Sequence, residues 1–297
     1  MRERVNVMIE DDLKKQEHMT PVEKKIAAYF IDHGDDIQGQ SAHTIAKELY
    51  THPSMITRFC QKMGFQGYSD FQKSYVAEKS YQQTHFIAID PNFPFGSQDK
   101  NIVVANKIGQ LYHEIIDDTL SLVKHDDLQK MIALIAKAKT IYVYSAGVQA
   151  SLAQTFKDKM IRIGKNVVVE QYMNELFYRA SFCHQNSLFM IISYTGEIEA
   201  ELRGVRKLKE RHVPVVAITT YGHNTLSKLA DHVMYVSTRE KIMENLGDFA
   251  MNLSTLLLLD VLYVNTFNLH FDQHYENKIR SSKEFELHRK SENTLIK

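Results

Sequence analysis

Three short runs in this chain of 297 residues bring hydroxyls and glycines together as an anion-binding turn requires. They are Ser145-Ala146-Gly147-Val148-Gln149, Ser193-Tyr194-Thr195-Gly196-Glu197 and Ile218-Thr219-Thr220. Each comes after a short apolar run. The first two lead straight into a helical pattern, and Thr225 and Ser227 cap the helical segment beyond the third. Free backbone N–H groups and the positive end of a helix dipole at such a place suit phosphate. Serine and threonine at these turns also serve as plain caps, so no single run decides the matter. Glu240 lies beyond the last apolar run and His223 comes after Thr219. A carboxylate and an imidazole there could move a proton on a sugar phosphate, although Arg239-Glu240-Lys241 reads equally well as a surface charge cluster. His270 and His274 are four apart with no third ligand beside them, so an exposed histidine pair is expected, with no metal and no cofactor.

The elements that must carry these runs alternate in type. Apolar stretches at Thr140–Tyr144, Asn166–Glu170, Ser187–Ser193, Val213–Thr219 and Val233–Val236 read as strands. Between them, helical periodicity covers Val148–Gly164, Met173–Phe182, Glu197–Arg211 and Leu226–Ala230, and a long helix comes last at Gly247–Thr266. Short buried strands separated by helices predict a parallel sheet of five strands covered on both faces. Ligands of such sheets sit beyond the carboxyl ends of the strands, where the three hydroxyl runs fall.

Composition narrows the class. Lys plus Arg and Asp plus Glu each number 36, so no global field attracts a polyanion and any nucleic-acid contact must be local. The cysteines, Cys60 and Cys183, are far apart in apolar company, which fits buried thiols in a reducing compartment. No apolar segment comes after Met1-Arg2-Glu3-Arg4, so no secretory signal is expected. Met251–Leu269 is apolar but carries Asp260 and several Asn and Thr, which predicts a buried helix and no membrane partner. A cytoplasmic protein is expected.

The N-terminal part reads as three helices. Thr20-Pro21-Val22-Glu23 forms a capping box with proline at the first helical position, and Val22, Ile26, Ala27, Phe30 and Ile31 recur as one stripe. Ser41 caps a short helix with Ile45, Ala46 and Leu49 inside. After a tight break, His52-Pro53 opens a third helix that Gly64 ends. Two helices around a tight turn, the second with polar residues at its start, make the shape that enters a DNA major groove. Between residues 51 and 75, Arg58, Lys62 and Lys73 face only Asp70, a modest local excess of positive charge.

The runs Arg58-Phe59-Cys60, Gly64-Phe65 and Gly67-Tyr68 resemble the RpiR/MurR family of bacterial transcriptional regulators. The later runs Ile141-Tyr142-Val143, Arg162-Ile163-Gly164, Ser193 to Glu197, Ala217-Ile218-Thr219 and Lys228-Leu229-Ala230-Asp231 resemble the sugar isomerase (SIS) domain that such regulators carry. The resemblance implies two domains: an all-α helix-turn-helix domain and an α/β SIS domain whose five-stranded parallel sheet is flanked by helices. The boundaries expected are 1–76 for the helix-turn-helix domain, 77–104 for a linker, 105–270 for the SIS domain and 271–297 for a charged tail, partly disordered from Glu276 on. Among the departures are Tyr50 for the turn glycine, His52 for the capping serine, Gln149 for a phosphate-contacting serine, and Ile198 for a threonine. Ser145 also stands where the first loop usually begins with glycine.

The resemblance also implies the sites. Ser54, Met55, Thr57 and Arg58 are the candidates for the groove, His52 for the cap of that DNA-binding helix, and Lys62, Gln66, Tyr68 and Ser69 for phosphate anchoring, with Phe59, Met63 and Phe71 as core. Ser145, Gly147, Gln149, Ser193, Thr195, Gly196, Glu197, Thr219 and Glu240 are the candidate effector residues. The partners implied are double-stranded operator DNA, a phosphorylated sugar effector and a second copy of the chain, a homodimer with a tetramer left open. The function implied is a repressor of sugar-metabolism genes and not an enzyme. The alternatives are an SIS domain that only dimerises and a phosphosugar isomerase.

Overall fold

The computed structural model describes residues 9–15, 19–34, 36–85, 89–285 and 295, and its chain divides into two compact units, Met1–Asp90 and Pro91–Lys297. The first unit is helical: α1 (Ile9–Lys15), α2 (Pro21–Asp32), α3 (Ala42–Glu48), α4 (Pro53–Lys62) and α5 (Tyr68–His85). The capping box at α2 is formed, with Glu23 N–H donating to Thr20 Oγ1 at 3.3 Å and Thr20 N–H to Glu23 Oε2 at 2.7 Å. Ser41 Oγ caps α3 by accepting from Thr44 N–H at 3.1 Å. Ile26, Phe30, Ile45, Ile56, Phe59, Cys60, Phe71 and Tyr75 close one core. Each large side chain of this kind contributes roughly 1.5–3 kcal/mol on burial. Val22, expected in the buried stripe, is 39% exposed because it sits in the first turn of α2, outside the overlap with α4 and α5.

The second unit begins with α6 (Asn101–Ser121) and α7 (His125–Lys137) and then alternates. Its elements are β1 (Thr140–Ser145), α8 (Val148–Ile161), β2 (Val167–Glu170), α9 (Met173–Phe182), β3 (Ser187–Ile192), α10 (Glu199–Glu210), β4 (Val215–Thr220), α11 (Thr225–Leu229), β5 (His232–Val236), α12 (Phe249–Asn268) and α13 (Phe271–Phe285). All five strands are parallel in the order β2-β1-β3-β4-β5. Side chains alternate along β1: Ile141 and Val143 join the core under α7, α8 and α12, while Tyr144 joins the core under α9 and α10. β3 and β4 are buried along their whole length, as continuous apolar runs between two helical layers must be. α12 is the one described helix long and apolar enough to cross a membrane, yet Met251, Leu258, Leu259 and Leu262 pack it into the sheet core.

Two expectations change here. Residues 271–285, expected to belong to a partly disordered tail, form α13, anchored where His274 Nδ1 bonds the Phe267 carbonyl at 2.8 Å. The remainder of that tail lies outside the described residues except Leu295. Asn92, expected in the linker, is buried against the loop after β5: its side chain donates to the Arg239 carbonyl at 3.4 Å and accepts from Lys241 N–H at 2.7 Å.

Candidate DNA interface and effector site

α4 starts from a histidine cap. His52 Nδ1 accepts from Ser54 N–H at 3.3 Å and lies 2.9 Å from Ser54 Oγ, so the imidazole does the work usually left to a hydroxyl. The turn before it puts Tyr50 at φ +51°, the left-handed region, with its side chain 98% exposed. His52, Ser54, Arg58, Lys62, Gln66 and Ser69 are exposed on one end of the helix pair, and Arg58 has no partner among the described residues. Lys62 is engaged, 2.8 Å from Glu23 Oε2. Thr57 turns its hydroxyl back to the Pro53 carbonyl at 3.4 Å, and Met55 packs partly into the core.

Tyr68 is a correction. It is 8% exposed, its hydroxyl donates to the Gln40 carbonyl at 3.0 Å, and burial pushes its ionisation far up. A phenol spent this way closes the helical core and does not reach a phosphate. Phe59, Met63 and Phe71 are buried as expected.

In the second unit the order β2-β1-β3-β4-β5 reverses between β1 and β3, the place where open parallel sheets hold ligands. Ser145 ends β1 and Ser193 comes just after β3, and both side-chain oxygens are buried with no hydrogen-bond partner. Gly147 (φ +62°) and Gly196 (φ +63°) make the turns. Gly196 allows no side chain: a Cβ would lie 2.3 Å from Asn224 Oδ1.

Several other candidates are held in a network of their own. Glu197 accepts from Thr225 N–H and from the Thr225 hydroxyl, both at 2.7 Å, which locks the Ser193 loop to the start of α11. Thr195 Oγ1 accepts from Glu197 N–H at 3.3 Å. Thr219 donates to the Tyr194 carbonyl at 3.2 Å and accepts from Asn224 Nδ2 at 3.0 Å. Gln149 Nε2 donates to Asn252 Oδ1 on α12 at 2.9 Å. Glu240 Oε2 accepts from Met251 N–H at 3.0 Å and so caps α12, while Oε1 is buried without a partner. Burial pushes the Glu240 carboxyl up, the backbone N–H groups of Met251, Ala250 and Phe249 pull it down, and Asp248 adds to the rise. The surface-cluster reading of Arg239-Glu240-Lys241 fails for two of the three, since Arg239 and Glu240 are buried and Arg239 meets Glu114 at 3.1 Å. His223 is exposed.

Two residues at this edge escape sequence reasoning. Tyr144 OH and Glu201 Oε2 are buried without a well-aligned hydrogen bond, and both Ser193 and Tyr144 lie near the Glu201 carboxyl. Burial pushes the Glu201 carboxyl up, and the nearby hydroxyls of Ser193 and Tyr144 pull it down. A signal exists: Glu201, Val205 and Leu208 stand at i, i+4 and i+7, so Glu201 shares the buried stripe of its helix.

Residues 9–83 match the family described as "Helix-turn-helix domain, rpiR family", and residues 134–265 match the SIS domain. The chain belongs to the RpiR family of helix-turn-helix transcriptional regulators. An uncharacterized HTH-type transcriptional regulator from Clostridium perfringens is 27% identical over 263 residues, covering 89% of this chain and 93% of that protein. One from Caldanaerobacter subterraneus is 26% identical over 245 residues, covering 82% and 85%. Among solved structures, the Vibrio vulnificus NanR protein complexed with ManNAc-6P shares the fold with TM-score 0.61 at 21% identity, covering 94% of this chain and 98% of that one. The sugar isomerase domain of an RpiR transcription factor from Sphaerobacter thermophilus gives TM-score 0.53 at 15% identity, covering 60% and 98%.

Proposed function

We propose that this regulator is a cytoplasmic repressor of sugar-metabolism genes whose operator affinity is controlled by a phosphorylated sugar at the β1/β3 edge. The observation that carries the reading is the pair of buried hydroxyls of Ser145 and Ser193 at the switch point of the sheet, neither of which makes a well-aligned hydrogen bond. A buried hydroxyl without a partner is costly by about 1–3 kcal/mol, and ligand oxygens would satisfy both. The ManNAc-6P in the NanR complex makes N-acylated hexosamine phosphates the first compounds to try. Ser145, Gly147, Ser193 and Gly196 form the anion-facing part of this site. Gln149, Thr195, Glu197, Thr219 and Glu240 hold its walls through their bonds to α11, α12 and the Tyr194 carbonyl.

On DNA, Ser54 and Arg58 read the groove, with Lys62, Gln66 and Ser69 at the backbone and His52 holding the start of α4. A homodimer places two copies of α4 on a palindromic operator about one helical turn apart. The two compact units, Met1–Asp90 and Pro91–Lys297, carry this division of labour. Isomerase chemistry is disfavoured because one oxygen of Glu240 already caps α12.

Thermal shift of the whole chain against a panel of phosphosugars, beside operator binding by fluorescence anisotropy, tests the reading. One compound should raise the melting temperature and change operator affinity, and Ser193→Ala should abolish both effects. A panel without any shift would favour the domain that only dimerises, and conversion of a phosphosugar in the absence of DNA would restore the isomerase.

A further inference from the structure

We infer that Glu201 is a positioning residue that sets the direction of the Ser193 hydroxyl, and thereby decides whether the effector loop offers a proton donor to an anion. The inference rests on the phosphosugar reading of the same edge. Glu201 is 2% exposed on the first turn of α10; its Oε2, the Ser193 Oγ and the Tyr144 OH are all buried without a well-aligned hydrogen bond, and both hydroxyls lie close enough to act on the carboxyl. Tyr144 comes from β1 and Ser193 from the end of β3. These hydroxyls are the groups that favour its charged form, and no cation does so. The charged residues around it are turned elsewhere: Glu197 to Thr225, Glu199 to Arg206, and Arg179 of α9 to Glu170. Glu175 of α9 also faces Glu170.

The same atoms admit two arrangements. With Glu201 ionised, Ser193 and Tyr144 both donate to the carboxylate, and Ser193 presents only lone pairs to an incoming ligand, which repel a phosphate. With Glu201 protonated, its O–H is given to Ser193 Oγ, and the Ser193 proton is released toward a ligand oxygen. Binding of phosphate therefore takes up one proton from solvent wherever Glu201 is otherwise ionised. The loop favours an anion at low pH and a hydrogen-bond donor, such as a free sugar hydroxyl, at high pH.

The test uses the full chain and inorganic phosphate, the group common to the candidate effectors, titrated calorimetrically from pH 5 to 9. Wild type is compared with Glu201→Gln, which is neutral at every pH. Taking the ratio of the two dissociation constants removes the titration of phosphate itself. The ratio should rise with pH, approaching about tenfold per unit above the Glu201 pKa. Adding Ser193→Ala to the glutamine variant should erase its advantage. A ratio flat across the range, with phosphate bound, would overturn the inference alone.

A ligand-free reading separates this outcome from failure of the site as a whole. A carboxyl raised by burial costs stability as pH climbs from its unfolded value through its folded one, so the glutamine variant should melt higher than wild type at pH 8 and equal to it below pH 4. That pattern without phosphate binding in either protein at any pH would sink the effector reading and this role together. Equal melting at all pH values would show that folding leaves the Glu201 carboxyl unshifted, and would overturn the switch.

Discussion

Gly196→Ala is the sharpest probe of the effector loop because its cost can be divided. The residue sits at φ +63°, where an L side chain costs about 1–2 kcal/mol. Its new Cβ would also stand 2.3 Å from Asn224 Oδ1 and 2.6 Å from Asn224 Cγ. Asn224 cannot simply swing aside. Its Oδ1 accepts from Ser227 N–H at 2.7 Å as the cap of α11, and its Nδ2 donates to Thr219 Oγ1 at 3.0 Å. Losing a cap costs about 1 kcal/mol, and the bond to Thr219 about 0.5–1.5 kcal/mol. The sum is about 2.5–4.5 kcal/mol, or roughly 5–18 °C in melting temperature for a unit of this size. Gly164 supplies the internal control: it has φ +78° in the same unit, yet nothing lies within 4 Å of its ideal Cβ. Gly164→Ala should cost only the backbone part, about 1–2 kcal/mol. Differential scanning calorimetry of both variants reads the difference directly. Equal losses would refute the steric argument and mean that Asn224 moves without penalty.

Tyr50→Gly should stabilise the first unit by about 0.5–1 kcal/mol, since relief at φ +51° exceeds the entropy that glycine adds to the unfolded chain; a lower urea midpoint would show that the exposed ring holds something. Tyr68→Phe should cost about 1 kcal/mol through its bond to Gln40 while leaving operator affinity unchanged at every salt concentration, and a fall in affinity would return Tyr68 to the interface. Burial pushes the Cys60 thiol up to about 12; Ellman's reagent at pH 8 should therefore spare it in the folded chain and label it in urea, and rapid labelling of the native protein would contradict its burial. Asn92→Ala should weaken the effect of an effector on operator affinity while sparing each binding event alone, and unchanged coupling would exclude the contact it makes with the Arg239–Lys241 loop.

The legible part of the sequence is local. The run Ser187–Ser193 becomes β3 at Ser187–Ile192 because continuous apolar residues leave only a two-sided buried strand. Pro53 and Gly64 bracket the third helix because each has few other places to sit. The hidden part is long-range. Nothing near Glu197 announces that Thr225, 28 residues later, will claim both of its oxygens. Nothing near Tyr68 announces that its hydroxyl belongs to Gln40, 28 residues earlier. Both read as ligand contacts because a polar side chain beside a motif looks free until the fold supplies its partner. Glu201 is the opposite case, an acid on an apolar stripe whose charge outweighs its position when only the sequence is read.

The same bonds that remove residues from the ligand give the edge its stiffness. From Thr225 they run through Glu197 to the Ser193 loop. Thr219 and Thr220 hold the Tyr194 carbonyl, and the Tyr194 hydroxyl donates to the Glu240 carbonyl at 2.7 Å. Glu240 caps α12, and Asn92 grips the residues on either side of it. The start of the second unit is therefore fastened to a loop that lies one tyrosine away from Ser193. On the proposed function, a ligand that reorients the Ser193 loop would act on Tyr194 and, through it, on the anchor at Asn92. Coupling between sites is typically about 1–3 kcal/mol, which a change in two or three such bonds supplies. On the proposed function, Gln149 and Ile198 then lose their standing as defects in a phosphate cradle. Gln149 ties its loop to Asn252 of α12, and Ile198 takes the cap position of α10 ahead of Glu201. The departures lie where this network is attached, so the loops hold the walls of the site as firmly as they face its ligand.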